Sequence, residues 1–501
     1  MVVVRPVLDG AAPAADRRAV DASRTTRSGP GALLALLATL VVGATYFWWV
    51  AQQEPRWVTE APTGHHLPLY GKSLLEGHLY VKQAPPEMTQ LPNPYDPEQY
   101  RSYFYVDLSY YRGYFYSYYG VVPALTLFAP WTALTGTYLT ENFAAALYLS
   151  LAFAVALRLL LAMRRRYLSD APAWAIALGA TVLAFGNLGL ILLMTPPHPR
   201  VIQACAWFWL VVALAASFAA VRPGRHGVRW LAVASLACGL MIASRPSHLG
   251  AAALLLPPAW LLRRGQPAHG VAPVSWSRLC AALLPLVAIG AAIAWFNQAR
   301  FDSPFEFGTR YWQDGADRPG VRVFSLAPIP ENVRGHLLRV PALEAEFPFL
   351  PFGDESLGAL VMLPFVWLAL LLPIGWRVQE RGDRSSFGAL VLGAALVPWP
   401  ILLAISLIPV HYVRHEMDFV LPLAWLGAVG LLSGAHAWRS RPIARRALVI
   451  VAAMLALVSV LTTVCVAMAD WNHPEIPWLG PLLDAPVRAW NSLARSGGGP
   501  S

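Results

Sequence analysis

Long apolar segments dominate this sequence and limit what it can fold into. About eleven of them are close to the ~17–25 residues that an α-helix needs to cross a bilayer. They lie at 31–50, 140–162, 172–194, 201–221, 230–244, 248–262, 279–296, 358–375, 386–410, 419–437 and 446–468. Because backbone groups in lipid must pair internally, the segments are predicted to be helices. The predicted fold class is an all-α polytopic membrane protein with about eleven transmembrane helices.

The composition and the position of the charges agree with this fold class. The chain is 56% apolar and only 13% charged, whereas soluble domains have about 45–50% apolar and about 25% charged residues. The formal net charge of +10 comes almost entirely from arginines that flank the apolar segments. This pattern favours orientation in a lipid bilayer over binding of nucleic acid, so no nucleic-acid partner is predicted.

The arginines also predict how the chain is oriented. Basic residues in short loops prefer the cytoplasmic side. If the apolar stretch 121–136 is a jutting or interfacial helix rather than a span, the arginine clusters between spans all fall on the cytoplasmic side. These clusters are Arg164, Arg165 and Arg166; Arg222, Arg225 and Arg229; Arg263 and Arg264; Arg377, Arg381 and Arg384; and Arg439, Arg441, Arg445 and Arg446. The N-terminus is then cytoplasmic.

Three regions follow from this topology. Residues 1–30 form a disordered cytoplasmic leader, because they are polar and rich in Ala, Pro and Gly. Residues 31–468 form one transmembrane domain, and 469–501 form a tail on the outer side. The transmembrane domain carries two large outer loops, at 52–139 and 297–357.

The first outer loop holds the strongest candidate for catalysis. Asp107 lies in the tyrosine-rich stretch VDLSYYRGYFYSYYG (106–120), close to Tyr111 and Tyr116. A carboxylate there could act as a general base on a hydroxyl, and tyrosine rings could stack on a sugar. The alternative interpretation is an aromatic belt at the membrane interface, with Asp107 capping a helix.

Other candidates lie at predicted outer ends of helices. Arg245, Arg300, Arg310 and Arg414 could bind a phosphate through paired hydrogen bonds, or they could extend to lipid head groups. The further candidates for substrate contacts are Tyr311, His411, Tyr412 and Asp418. Histidines could bind a divalent cation only if the fold brought them together, and no other cofactor is indicated. They are His65, His66, His198, His411 and His415.

At these residues the sequence resembles the membrane-embedded GT-C class of glycosyltransferases, including bacterial enzymes that use polyprenyl-phosphate sugars. The resemblance covers about residues 60–435. It is carried by LPLYGKSLLEGHLYV, PYDP, YYRGYFYSYYGVVPALTLFAPWTALTG, NQARFDSPFEFGTRY and HYVRHEMDFVLPLAWL, in that order along the chain. The resemblance implies jutting helices in the first outer loop, an acidic residue there as the catalytic base, and inversion at the anomeric carbon.

The sequence departs from this class at one point. Many members carry an acidic pair shortly before the tyrosine that would correspond to Tyr70, and this chain has His65 and His66 there. The expected base is therefore Asp107, followed by Glu60 and then His66.

The predicted function is an integral-membrane glycosyltransferase at the outer face of a bacterial cytoplasmic membrane. Its donor is a sugar on polyprenyl phosphate, and its acceptor is a glycan, a lipid or a protein. Two alternatives stay open. A lipid-linked-oligosaccharide transporter is disfavoured by the scarcity of charged residues in the middle of the spans. A non-catalytic assembly protein of the same fold is kept open by the missing acidic pair.

Overall fold

The protein is described by a computed structural model that covers most of the chain. The described residues are 30–53, 56–60, 66–103, 108–118, 120–194, 198–222, 226–263, 276–313, 324–341, 356–408 and 412–469. The predicted leader 1–30 and tail 469–501 lie outside the described residues, apart from Pro30 and Ala469.

Helices make up most of the described chain. The α-helices are α1 (Pro30–Gln53), α2 (His66–Leu75), α3 (Pro86–Thr89), α4 (Pro97–Tyr100), α5 (Ala129–Thr135), α6 (Glu141–Tyr167), α7 (Ala173–Phe185), α8 (His198–Ala220), α9 (Gly227–Ser244), α10 (Leu256–Arg263), α11 (Trp276–Phe301), α12 (Ile329–Leu338), α13 (Ala359–Met362), α14 (Leu372–Arg377), α15 (Arg381–Ala395), α16 (Pro398–Ser406), α17 (Val413–Ala437) and α18 (Pro442–Ala469). A π-helix covers Ala124–Phe128, and 3-10 helices cover Gly189–Leu193, Pro246–Leu255, Thr309–Tyr311 and Pro364–Leu371.

Five short strands lie between α1 and α6. They are β1 (Val58–Thr59), β2 (Lys82–Gln83), β3 (Ser109–Tyr111), β4 (Tyr114–Tyr116) and β5 (Tyr138–Leu139). β1 pairs with β5 in an antiparallel sheet, with Val58 opposite Leu139. β2, β4 and β3 form a second antiparallel sheet in that order. The sheets give the tyrosine-rich region a regular framework.

Eight helical segments of the described chain are long and apolar enough to cross a membrane. They are Ala32–Gln53, Glu141–Tyr167, Arg200–Ala220, Gly227–Ser244, Trp276–Phe301, Arg381–Ser406, Val413–Ala437 and Pro442–Ala469. The prediction of an all-α, multi-pass membrane protein is confirmed by these segments.

The count of about eleven transmembrane helices stays a prediction, and three of the predicted spans are broken rather than continuous α-helices. In 172–194, α7 ends at Phe185 and a 3-10 helix follows the left-handed Leu188. The segment 248–262 lies in the 3-10 helix Pro246–Leu255 and then in the short helix α10. The segment 358–375 begins as the short helix α13, passes into the 3-10 helix Pro364–Leu371 and ends in α14. Proline lacks the N–H that a continuous α-helix needs, which favours such breaks.

The ambiguous stretch 121–136 forms a short helix. Its helical part, Ala124–Thr135, rises by only ~18 Å, whereas a bilayer core is about 30 Å thick. It packs against α2, where Gly71 lies against the backbone of Phe128 and Ala129. This geometry agrees with the prediction that 121–136 does not cross the membrane by itself.

Helix α17 forms the centre of the bundle. Nearly all of its side chains are buried, and it packs against α7, α14, α16 and the 3-10 helix Pro364–Leu371. The 3-10 helix approaches closely because α17 has glycine at Gly430, where a Cβ would collide with the carbonyl of Leu368. The polar residues in the first turns of α17, His415, Glu416 and Asp418, are buried as well as its apolar residues.

The two ends of the bundle differ in character. At one end, which we call the loop end, Arg300 contacts Ser117 and Arg245 contacts Asp418. At the other, which we call the basic end, arginines cluster around a few acidic and carbonyl groups. The contacts there are Arg166 to Asp383 at 3.0 Å, Arg439 to Asp170 at 3.3 Å, and Arg164 to the carbonyl of Ala171 at 2.7 Å. Which end faces the cytoplasm stays a prediction.

Candidate active site

Two loop segments, 108–118 and 301–313, join at the loop end. The hydroxyl of Ser109 donates to the carbonyl of Gly308 over 2.8 Å, and Ser109 also forms a β-bridge with Trp312. Segments that lie about 190 residues apart in the sequence therefore form one surface. Each segment belongs to one of the two large loops that the sequence predicts on the same side of the membrane.

Aromatic rings fill the junction between these segments. The rings of Tyr111 and Tyr311 are 4.6 Å apart, and both lie 5.8 Å from the ring of Phe301. The ring of Tyr116 also contacts Phe301, with 5.2 Å between the ring centres. Three of the predicted substrate-contacting tyrosines are thus brought together around one buried phenylalanine.

Several tyrosines at this junction have raised pKa values. Burial raises the pKa of Tyr111, and the hydrogen bond to Asp302 raises it further. Burial also raises the pKa values of Tyr95 and Tyr116. Phenols with raised pKa values act at neutral pH as hydrogen-bond donors and acceptors, so these side chains can bind hydroxyl groups but are poor bases.

Arg300 lies beneath the aromatic cluster, in the last turn of α11. Its side chain is buried, and its guanidinium donates to the carbonyl of Ser117 over 2.7 Å and to the side-chain oxygen of Asn297 over 2.8 Å. The ring of Phe296 lies 4.0 Å from the guanidinium carbon. No carboxylate of the described residues pairs with Arg300. Its positive charge therefore contacts only neutral oxygens and aromatic rings.

Tyr70 faces the same guanidinium from α2. Burial raises the pKa of Tyr70 to about 12, while the nearby charge of Arg300 opposes this rise. Tyr70 therefore brings α2 beside Arg300, whereas His65, one of the two histidines at the expected position of the acidic pair, lies outside the described residues.

A small pocket opens beside Arg300 between the first loop and helices α9 and α11. Its polar lining comes from Arg300 and Asn297. Its remaining lining is mostly apolar and is formed by Tyr118, Gly120, Val121, Ile242, Ala243, Pro246, Ile293, Phe296 and Phe307. The side chains of α11 are largely exposed on the surface of the bundle, which is the surface that lipid would contact. The pocket therefore joins a buried cation to an apolar, lipid-facing wall.

A second polar cluster lies at the ends of α8, α9 and α17. The Nε of Arg245 is 2.5 Å from a carboxylate oxygen of Asp418, whose side chain is fully buried. Gln203 donates to Asp418 over 3.1 Å and to the backbone carbonyl of Arg414 over 2.7 Å. His248 is buried in the electrostatic range of both Asp418 and Arg245. Two predicted substrate-binding residues are thus paired with each other.

A third group of buried polar side chains was not predicted from the sequence. The carboxylate of Glu416 accepts a hydrogen bond from the N–H of Leu357 over 2.7 Å and lies 3.5 Å from Nδ1 of His336. All three residues are buried. The acidic pair in HEMD, at the start of a predicted span, was the only signal in the sequence for a buried polar cluster at this position.

The two alternative bases precede or begin α2 in the sequence. Glu60 is exposed in the bend after β1. His66 is the first residue of α2, one turn before Tyr70 on the same helix face. The N–H of the next residue, Leu67, donates to the buried carboxylate of Glu141 over 2.8 Å. Glu141 therefore caps α2, a role that sequence reasoning missed.

The remaining predicted site residues are dispersed or lie outside the described chain. Arg310 is exposed beside Tyr311. The guanidinium of Arg414 lies 4.4 Å from the ring centre of Tyr412, and both side chains are partly buried. Asp107 and His411 lie outside the described residues. Within the described part of the chain, no group of three His, Cys, Asp or Glu side chains could hold a metal ion.

Comparisons with known proteins give one structural match. An archaeal oligosaccharyltransferase, AglB from Archaeoglobus fulgidus in complex with an inhibitory peptide and a dolichol-phosphate, matches over 89% of this chain, with 15% sequence identity and a TM-score of 0.39. The match covers 57% of that chain, so the present chain spans little more than half of its length. No family model and no curated protein matches the sequence.

Gly120 determines how closely the first loop approaches α9. A Cβ at this position would collide with the carbonyl groups of Ala243 and Ser244. Gly120→Ala is expected to lower stability by about 1–3 kcal/mol, because the backbone must move to relieve the overlap. Thermal denaturation of the detergent-purified protein measures the effect. Gly290→Ala is the control, since a Cβ there meets no neighbouring atom. Equal midpoints for the two variants would contradict the close approach.

Proposed function

We propose that this protein is a membrane glycosyltransferase of the GT-C type that transfers a sugar from a polyprenyl-phosphate donor. The observation that carries the proposal is the buried guanidinium of Arg300 at the edge of a lipid-facing pocket. The acceptor is a glycan, a lipid or a protein hydroxyl. The reaction takes place at the outer face of a bacterial cytoplasmic membrane, with the loop end outside and the basic end in the cytoplasm.

The charge of Arg300 supports an anionic ligand. A buried charge without a partner of opposite sign costs about several kcal/mol, and a bound anion recovers much of that cost. Arginine suits phosphate because its planar fork donates two parallel hydrogen bonds and its charge is permanent. The Nε of Arg300 is buried and has no hydrogen-bond partner among the described residues, so one donor of this cation is unsatisfied in the protein alone.

The apolar wall of the same pocket supports a lipid carrier. Ile242 of α9 and Ile293 and Phe296 of α11 line the pocket beside Arg300. A phosphate held at Arg300 would therefore have its prenyl chain beside the exposed face of α11. When the sugar leaves the carrier, negative charge develops on this phosphate, and a fixed guanidinium stabilises that charge in the transition state.

The catalytic base is proposed from the sequence. Asp107 directly precedes Leu108, whose carbonyl accepts a hydrogen bond from Gln313 across the loop junction. A carboxylate from this part of the chain would take the proton of the acceptor hydroxyl, and Glu60 and His66 are the next candidates. Because the donor leaves as an anion, no separate acid is required. A divalent cation stays a proposal for this site.

Transfer assays test the proposed function directly. Purified protein, reconstituted in liposomes, is supplied with a panel of radiolabelled polyprenyl-phosphate sugars together with a membrane extract as acceptor. Incorporation of label into an acceptor, with release of polyprenyl phosphate, is the expected result. A protein that binds these lipids but transfers from none of them would be a non-catalytic assembly protein, and movement of intact lipid-linked sugar across the bilayer would identify a transporter.

Asp107→Asn is expected to lower the transfer rate about 100- to 10,000-fold, because the amide cannot accept the proton. The variant should reach wild-type levels in the membrane. Asp96→Asn is the matched control in the same loop, since Asp96 caps α4 by accepting from the N–H of Glu98 over 3.0 Å. Full activity of Asp107→Asn would remove Asp107 from the mechanism and direct the test to Glu60→Gln and His66→Ala.

A further inference from the structure

An exposed ion pair at the loop end joins two residues with unusual backbone conformations. The guanidinium of Arg112 lies 2.6 Å from the carboxylate of Asp302, and the two side chains are 71% and 55% exposed. Arg112 has φ 47° and Asp302 has φ 56°. Among the described residues, Leu188 is the third non-glycine residue with positive φ, so two of the three are partners in this pair.

Stability alone gives no reason for arginine at position 112. Arg112 and Gly113 form the two-residue turn between β3 and β4, and both have positive φ. Such turns favour Asn, Asp or Gly at the first position, because other side chains are strained there. An exposed ion pair adds little stability in return. Strained residues of this kind tend to occur where a side chain contacts a ligand.

Three partly exposed tyrosine rings extend in a row from the ion pair. The hydroxyl of Tyr111 donates to Asp302 over 3.0 Å, and the guanidinium of Arg112 lies 5.1 Å from the ring centre of Tyr111. The ring centre of Tyr311 lies 4.6 Å from that of Tyr111. The ring centre of Tyr95 lies 6.2 Å from that of Tyr311. We call Tyr95, Tyr111, Arg112, Asp302 and Tyr311 the tyrosine patch.

We infer that the tyrosine patch binds a carbohydrate chain, and that this chain is the acceptor. A sugar ring presents a C–H face that packs on an aromatic ring and a rim of hydroxyls that both donate and accept hydrogen bonds. Tyrosine rings supply the flat surface with little loss of conformational freedom. Asp302 supplies acceptors and Arg112 supplies donors beside those rings. A peptide would instead be recognised through a pocket for a side chain or an added strand.

The role as acceptor site rests on the proposed function and on the position of Phe301. The ring of Phe301 contacts Tyr111 and Tyr311 of the tyrosine patch, and its centre lies 4.8 Å from the guanidinium carbon of Arg300. One buried ring therefore separates the tyrosine patch from the cation that would hold the donor phosphate. A glycan on the tyrosine patch would end close to the donor sugar.

The test measures carbohydrate binding separately from transfer. The detergent-purified protein is applied to an array of bacterial and eukaryotic oligosaccharides and to an array of unstructured peptides. We expect binding to one or more oligosaccharides, a loss of roughly 10-fold in affinity in Tyr311→Ala, and unchanged affinity in Tyr80→Ala. Tyr80 is the matched control because its ring stacks on Tyr114, outside the tyrosine patch, at 4.4 Å.

Arg112→Gly distinguishes binding from a structural role. Glycine accepts positive φ without strain, so the midpoint of thermal denaturation should stay the same or rise while carbohydrate affinity falls. Wild-type affinity in Arg112→Gly, binding to peptides alone, or no binding to any oligosaccharide would overturn the inference. Arg300→Gln should still bind the oligosaccharide. Transfer by a wild-type protein that binds no glycan would reject the acceptor assignment and leave the proposed function intact.

Discussion

Arg300→Gln is expected to lower the rate of sugar transfer about 100- to 1,000-fold, the range seen when one fixed donor to a developing anion is removed. Glutamine keeps a donor near Ser117 and Asn297, which hold the wild-type side chain. It lacks the charge that would stabilise the departing phosphate. Transfer from a polyprenyl-phosphate sugar in liposomes measures the effect, and the thermal midpoint of the variant should not fall sharply.

Two further variants make this result specific. Arg300→Lys keeps a positive charge but loses the planar fork, so partial activity is expected. Arg278→Gln removes an arginine from the first turn of the same helix, at its opposite end, and should transfer at the wild-type rate. If Arg300→Gln and Arg278→Gln were equally active, the phosphate site would have to lie elsewhere.

Asp418→Ala is expected to cost about 3–5 kcal/mol of stability, because it leaves Arg245 without its carboxylate in a buried site. Gln203 loses an acceptor in the same variant. The measurement is the thermal or denaturant midpoint of the protein in detergent. Asp418→Asn should be less harmful, since its single amide oxygen still accepts from either Arg245 or Gln203, although its NH2 group cannot accept from the other and the charge is lost.

The matched control is Asp383→Ala at the basic end. Asp383 pairs with Arg166 at 3.0 Å, but its side chain is 39% exposed, so its loss should cost about 1 kcal/mol or less. The double variant Asp418→Ala with Arg245→Ala should be more stable than the sum of the single changes predicts, since no unpaired charge is left. Additive effects would mean that the two side chains do not act as a pair.

Local features of the sequence predicted the helical architecture and the location of the polar loops. Apolar segments of sufficient length predict helices because the backbone must pair within each segment. Three of the predicted spans are interrupted where proline or a left-handed residue ends the regular α-helix, near Pro246, Pro364 and Leu188. Hydropathy records apolar character over a window, and it does not distinguish one continuous helix from a 3-10 helix followed by an α-helix.

The sequence by itself determined that the chain is a multi-pass helical protein and that its tyrosine-rich segments, arginines and acidic residues lie near helix ends. Only the tertiary structure decided which of these side chains meet. Asp418 lies 173 residues from Arg245, and Ser117 lies 183 residues from Arg300. Such partners are chosen by the packing of α9 against α8 and α11 and of α17 against α8, and periodicity along one helix carries no information about that packing. The same packing leaves Asp418 paired and Arg300 without a carboxylate among the described residues.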